Sequence, residues 1–137
     1  MKIKLEPWAI MPTRAHDTDA GLDLYAEKDA TIWPGEPVVF NTGVCVQLPP
    51  QTAGMVKFKS GLYVNHDIIL TGVVDVGYTG SILVKLLNLG RAAYTVKRGD
   101  KISQLVIVPV VVPGALELVD ELEETERGNN GFGSTGR

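Results

Sequence analysis

The chain has 137 residues, 45% of them hydrophobic, with a formal net charge of −3. That length sets one domain with a real core, and the negative balance argues against a polyanion-binding surface. No apolar run approaches the roughly eighteen residues of a membrane span, MKIKLEPWAI lacks a signal-type apolar core, and the lone Cys45 excludes an internal disulfide, so a cytoplasmic protein is expected.

Along the chain, Pro and Gly recur at short intervals and enclose runs rich in β-branched residues. Strands are predicted over 2–5, 38–40, 44–48, 55–58, 81–87 and 102–112. Trp33-Pro-Gly-Glu36, Leu48-Pro-Pro-Gln51 and Lys97-Arg-Gly-Asp100 read as turns. Many short strands with tight turns predict an all-β sandwich or barrel. Cys45 lies between Val44 and Val46 and is expected to be a buried small hydrophobe. Helix signals are weak: Ser60 can cap a short turn running through Tyr63 and His66, and the acidic stretch 121–126 reads as solvated. The run QLVIVPVVV at 104–112 is apolar on both faces, which predicts burial on both sides, in the centre of a sandwich or against another subunit.

Four segments carry more chemistry than a plain scaffold requires. In AGLDLYA (20–26), Asp23 alternates with Leu22 and Leu24, and an acid there suits either a hydrated divalent cation or a lysine. In KFKSGL (57–62), a cation, a hydroxyl and a glycine leave a strand and open a helical turn, an arrangement that suits an anion. In TGVVDVGYTG (71–80), Asp75 is read as a semi-buried acid at a strand end beside Tyr78; together they suit a general base and a flat wall for a sugar, or else a turn-stabilising acid and a packed ring. In RGDKISQLV (98–106), Gln104 shares a face with Ile102, so its amide needs a backbone or ligand partner.

The end of the chain, RGNNGFGSTG (127–136), has four glycines and two asparagines and no means of forming a core. Ordering each residue costs about 1–2 kcal/mol, so a flexible arm is expected. It nonetheless carries a guanidinium at Arg127, a stacking ring at Phe132, and the hydroxyls of Ser134 and Thr135 among glycines. These groups suit phosphate and a base.

Taken together and in this order, the five segments resemble the trimeric deoxyuridine triphosphatase (dUTPase) family. Its pattern runs AGxDLxA, RSG(L), G(V)(I)DxxYxG, RxxQL and RGxxGFGS(S/T)G, and the match spans 19–136. Lys59 stands where the family usually has arginine, which keeps the charge and loses the bidentate fork. Gly77 and Thr79 stand where acidic and basic residues are common, and the stretch from Ser60 to Asp75 is slightly short.

The resemblance implies an all-β subunit of distorted jelly-roll or β-clip barrel type over 1–126, with a short helical turn after residue 60. It implies a flexible arm over 127–137, and a homotrimer with three sites at subunit interfaces. The implied reaction is dUTP and water giving dUMP and pyrophosphate, with Mg²⁺ on the triphosphate. By matching positions, Asp75 orients and deprotonates the attacking water, Gln104 assists it, and Tyr78 packs beneath the deoxyribose. Backbone groups around Leu70, Gly72, Val73 and Val74 read uracil. Lys59, Ser60, Gly61 and Gln104 hold the α- and β-phosphates, and Asp23 meets the metal through water. Arg127, Phe132, Gly133, Ser134 and Thr135 close over the γ-phosphate and base as a lid. Two other readings, a dCTP deaminase on the same scaffold and a nucleotide-binding protein without turnover, fit less well: no spare mid-chain Glu is placed for deamination, and Asp75 and Gln104 are both present.

Overall fold

The computed structural model describes residues 1–130. The strands are β1 (Lys2–Leu5), β2 (Gly21–Tyr25), β3 (Ala30–Ile32), β4 (Pro37–Gln47), β5 (Thr52–Lys57), β6 (Ile68–Ile69), β7 (Thr71–Val74), β8 (Ser81–Asn88), β9 (Tyr94–Val96) and β10 (Lys101–Pro109), with one helix, α1 (Ser60–His66). They form two four-stranded sheets, β1-β4-β8-β6 and β2-β10-β5-β7, and a β3-β9 ribbon; the sheets do not close into a barrel. All the named pairings are antiparallel.

The period-2 pattern explains the packing. On β8, Ile82, Val84, Leu86 and Asn88 face inward while Leu83 and Lys85 face out. The inward residues meet Leu24, Phe40, Val44, Val56, Ile102 and Leu105 in one core. Burying each large apolar side chain contributes about 1.5–3 kcal/mol. The one fully buried amide, Asn88, is satisfied on both sides: Nδ2 donates to the carbonyls of Ile32 and Ala92, both at 2.8 Å, and Oδ1 accepts from Gly90 N. It ties the β3-β9 ribbon to the end of β8.

Several expectations hold. Cys45 is buried. Glu36 N donates to Trp33 O and Asp100 N to Lys97 O, with Gly35 and Gly99 at φ 76° and 88°, as tight turns of this kind require. Others need correction. The runs 38–40 and 44–48 belong to one strand, β4, which bulges between Asn41 and Cys45; Gly43 sits there at φ 68° and the Thr42 hydroxyl bonds Ile82 O. Lys59, not Ser60, occupies the N-cap position of α1, and no side chain caps the helix. The strand predicted over 102–112 ends at Pro109. Nor is the run 104–112 buried on both sides in the single chain: Leu105 is buried, but Val111 is 95% exposed.

One topological feature positions the site. β6 belongs to the first sheet and β7 to the second, and only the buried Leu70 lies between them. The chain therefore changes sheets in a single step, and β7 becomes an edge strand. Its outward N–H and C=O groups have no strand partner among the described residues.

Candidate functional site

The predicted residues gather in two neighbourhoods of the second sheet. The first is a row across its strands, because register aligns Asp23 with Gln104 and Gln104 with Lys57. The Gln104 amide donates to Phe58 O at 3.2 Å. Its side chain lies over Gly21, where a Cβ would stand 2.5 Å from Gln104 Oε1, so glycine in AGLDLYA makes room for that amide. Just beyond β5, Lys59, Ser60 and Gly61 lead into α1. With no side-chain cap, the first-turn N–H groups of this helix are open to an anion.

Asp23 is the buried acid of this row, and the lysine alternative is what the fold realises. Lys59 Nζ contacts Oδ1, and Lys101 Nζ sits 2.8 Å from Oδ2. Burial pushes the Asp23 carboxyl up, but the hydrogen bonds and charges of Lys101 and Lys59 outweigh it and hold the group below its ordinary 3.8. The Asp23 carboxylate in turn raises Lys101. Lys101 opens the KISQLV segment and is a site residue that sequence reasoning passed over. A β-bulge between Lys101 and Ser103 shifts the pairing with β2, a displacement that side-chain alternation alone does not announce.

This chemistry bears on the metal. Among the described residues no three His, Cys, Asp or Glu side chains converge. Both Asp23 oxygens already accept an ammonium group, and the trio of Asp23, Lys59 and Lys101 carries one net positive charge. Direct coordination of a bare divalent cation does not fit there. An anionic metal–triphosphate complex does, with the metal keeping its water shell.

The second neighbourhood is a cleft of about 250 Å³ lined by Val56, Gly72, Val73, Val74, Asp75, Tyr78, Ile82 and Leu83. It unites the predicted Gly72, Val73, Val74, Asp75 and Tyr78, and it adds three apolar residues whose only sequence signal was strand alternation. The predicted Leu70 does not line it. Asp75 is exposed rather than semi-buried, because it sits in the turn that follows β7. That turn is closed by Tyr78 N donating to Asp75 O, with Gly77 at φ 96°. The Tyr78 hydroxyl donates to Ser81 O at 3.0 Å, and the ring rests against Gly80.

A single chain does not bring the two neighbourhoods together. Val74 pairs with Gly54 at one end of β5, whereas Gln104 pairs with Lys57 at the other. With a rise of about 3.3 Å per residue and strands about 4.8 Å apart, Asp75 and Gln104 are roughly 15 Å apart. Arg127 is exposed, donates to Asn130 O, and lines neither neighbourhood. Phe132, Gly133, Ser134 and Thr135 lie outside the described residues. Among those described, no helix is long and apolar enough to cross a membrane.

Comparison with known proteins gives a consistent result. The family model described as dUTPase matches residues 8–136. A deoxyuridine 5'-triphosphate nucleotidohydrolase of Gloeothece citriformis is 46% identical over 136 residues, covering 97% of this chain and 93% of the relative. One of Clostridium kluyveri is 47% identical over 131 residues, covering 93% and 91%. Among solved structures, the Staphylococcus bacteriophage 80alpha dUTPase with dUpNHpp superposes with a TM-score of 0.87 at 31% identity, covering 99% of this chain and 98% of that one. A mutant dUTPase of phage phi11 of S. aureus, which coordinates a structural Mg(II) ion, gives 0.81 at 29% identity, covering 90% and 98%.

Proposed function

The chain belongs to the dUTPase family, and from that premise we propose that it cleaves dUTP to dUMP and pyrophosphate by an Asp75-oriented water attacking the α-phosphorus. The water oxygen forms the new bond to phosphorus, the bond from that phosphorus to the bridging oxygen breaks, and the water proton passes to Asp75. The observation that carries this reading is the cleft. It sets an exposed carboxylate, a flat ring and the free backbone edge of β7 around one space. A general base so placed contributes about 10²–10⁴-fold.

The remaining roles are proposed from the family pattern. Among Gly72, Val73 and Val74, the backbone groups that face away from β5 pair with the polar edge of uracil. Leu70 acts one step back, by turning the chain between the sheets. Tyr78 lies under the deoxyribose and leaves no room for a 2′-hydroxyl. Lys59, Ser60, Gly61 and Gln104 hold the α- and β-phosphates and the water. Arg127, Phe132, Gly133, Ser134 and Thr135 close over the bound nucleotide and exclude solvent. Asp23 would meet the water shell of a Mg²⁺ ion carried by the triphosphate, and that ion would supply neutralisation of the phosphate charge.

A homotrimer supplies the missing geometry. The roughly 15 Å between Asp75 and Gln104 within one chain is bridged when the cleft of one subunit faces the phosphate-binding row of another. The exposed Val111, Val112, Leu116, Leu118 and Leu122 give such an assembly apolar surface to cover.

The test is pyrophosphate release from dUTP beside dTTP, dCTP and UTP, with and without Mg²⁺. Release from dUTP alone, dependent on Mg²⁺, is the expected result. Asp75→Asn should lower kcat by about 10²-fold or more while binding of the non-hydrolysable analogue dUpNHpp persists. An unchanged kcat would remove Asp75 from the role of base.

A further inference from the structure

We propose that Lys101 is a positioning residue: it is the permanent partner of Asp23, and Lys59 is the exchangeable one, released from Asp23 to the triphosphate when the nucleotide binds. The inference rests on the nucleotide reading above and deepens it. The two lysines take separate oxygens of the carboxylate, so one can depart without disturbing the other. Their backbones differ in a way that assigns the parts. Lys101 stands in β10 and pairs in register with Tyr25 of β2, the strand that carries Asp23. Lys59 stands outside any strand, at the N-cap position of a helix with no buried residue.

The consequence is energetic. The Asp23 side chain is only 7% exposed, so with no partner it would be a buried, uncompensated charge. If Lys59 were its only partner, every phosphate bound by Lys59 would leave Asp23 in that state. Lys101 removes the penalty. It holds Oδ2 before and after, keeps the carboxylate ionised and aimed, and lets Lys59 move at the cost of one exchanged contact. The pair is thus a charge relay in which the incoming anion substitutes for Asp23 as the Lys59 partner.

The experiment measures calorimetric binding of dUpNHpp in metal-free buffer, so that the readout is neither turnover nor metal loading. Lys101→Met keeps the stem and removes the charge. It is expected to weaken binding about 10-fold or more, because Lys59 is now retained by Asp23. Lys101→Arg keeps the charge and should bind within about 3-fold of the parent. Asp23→Asn with Lys101→Met removes the acid as well as its holder, so Lys59 is free and binding should recover to within about 3-fold of Asp23→Asn alone. That double variant also covers the case in which Lys101→Met fails to fold. Parent-like binding by Lys101→Met, or a double variant weaker than Asp23→Asn by about 10-fold, would overturn the inference. Failure of the parent chain to bind dUpNHpp would instead overturn the nucleotide reading.

Discussion

Gly80→Ala should loosen sugar discrimination more than it loosens the fold. A Cβ at Gly80 would stand 2.6 Å from Tyr78 Oη, 2.7 Å from Cζ and 3.1 Å from Cε2. Carbon contacts settle near 3.5–4.0 Å, so the rigid ring must retreat by about 1 Å. The retreat breaks the Tyr78 hydroxyl bond to Ser81 O, a net loss of about 1 kcal/mol. Little else is lost, because Tyr78 is about half exposed and the φ of Gly80 is not in the left-handed region. A stability change near 1 kcal/mol lowers Tm by about 3–6 °C in a domain of this size. Gly80 does not line the cleft, so the same 1 Å moves the ring within it and spoils its fit beneath the sugar, where a 2′-hydroxyl would project. The ratio of kcat/KM for UTP to that for dUTP should rise about 10-fold, equivalent to about 1.4 kcal/mol of lost exclusion. Parallel pyrophosphate-release assays on the two substrates, with a melting curve, measure both quantities. A lowered Tm with an unchanged ratio would refute the placement of Tyr78 against the sugar.

Asn88→Leu leaves Gly90 N–H and the carbonyls of Ile32 and Ala92 without their partner, so urea unfolding should report a loss of about 2–4 kcal/mol, with activity per folded molecule retained. Because the folded Asp23 carboxyl lies below its ordinary 3.8, its ionised form contributes stability that is full above the unfolded value and is lost as pH falls through the lower folded one. Asp23→Asn should therefore flatten the acid limb of a stability–pH profile below about pH 4; an unchanged acid limb would mean that the two lysines do not favour the charged form. Deletion of 127–137 should leave strand content and assembly size unchanged by circular dichroism and light scattering while kcat/KM for dUTP collapses. Loss of assembly would make that segment structural instead.

The legible parts of this fold are those where local chemistry leaves no alternative. Strand β8 was readable because Ile82, Val84 and Leu86 alternate with outward residues, and the turns at Gly35 and Gly99 because those positions need positive φ. The two- and three-residue strands β6, β3 and β9 were not, since so short a run has no measurable period. The ribbon depends instead on the amide of Asn88, a long-range contact with no local signature. The same division runs through the site. Residues 23, 57–61 and 104 are far apart in sequence, yet antiparallel register sets them in one row across β2, β10 and β5. Ordered motifs could name most of these residues without revealing that row. Lys101 stands at the basic position of RxxQL, but its contact with Asp23 depends on a bulge that alternation does not announce, and the exposure of Asp75 on a turn residue at an edge strand being covered only by what docks there. That last point has a chemical consequence. The acid assigned as base lies on the unpartnered side of the sheet, roughly 15 Å from the amide and lysine assigned to the phosphates. The proposed homotrimer completes a constellation that the described residues of one subunit leave apart, so turnover should fall on dilution below the concentration at which that trimer dissociates.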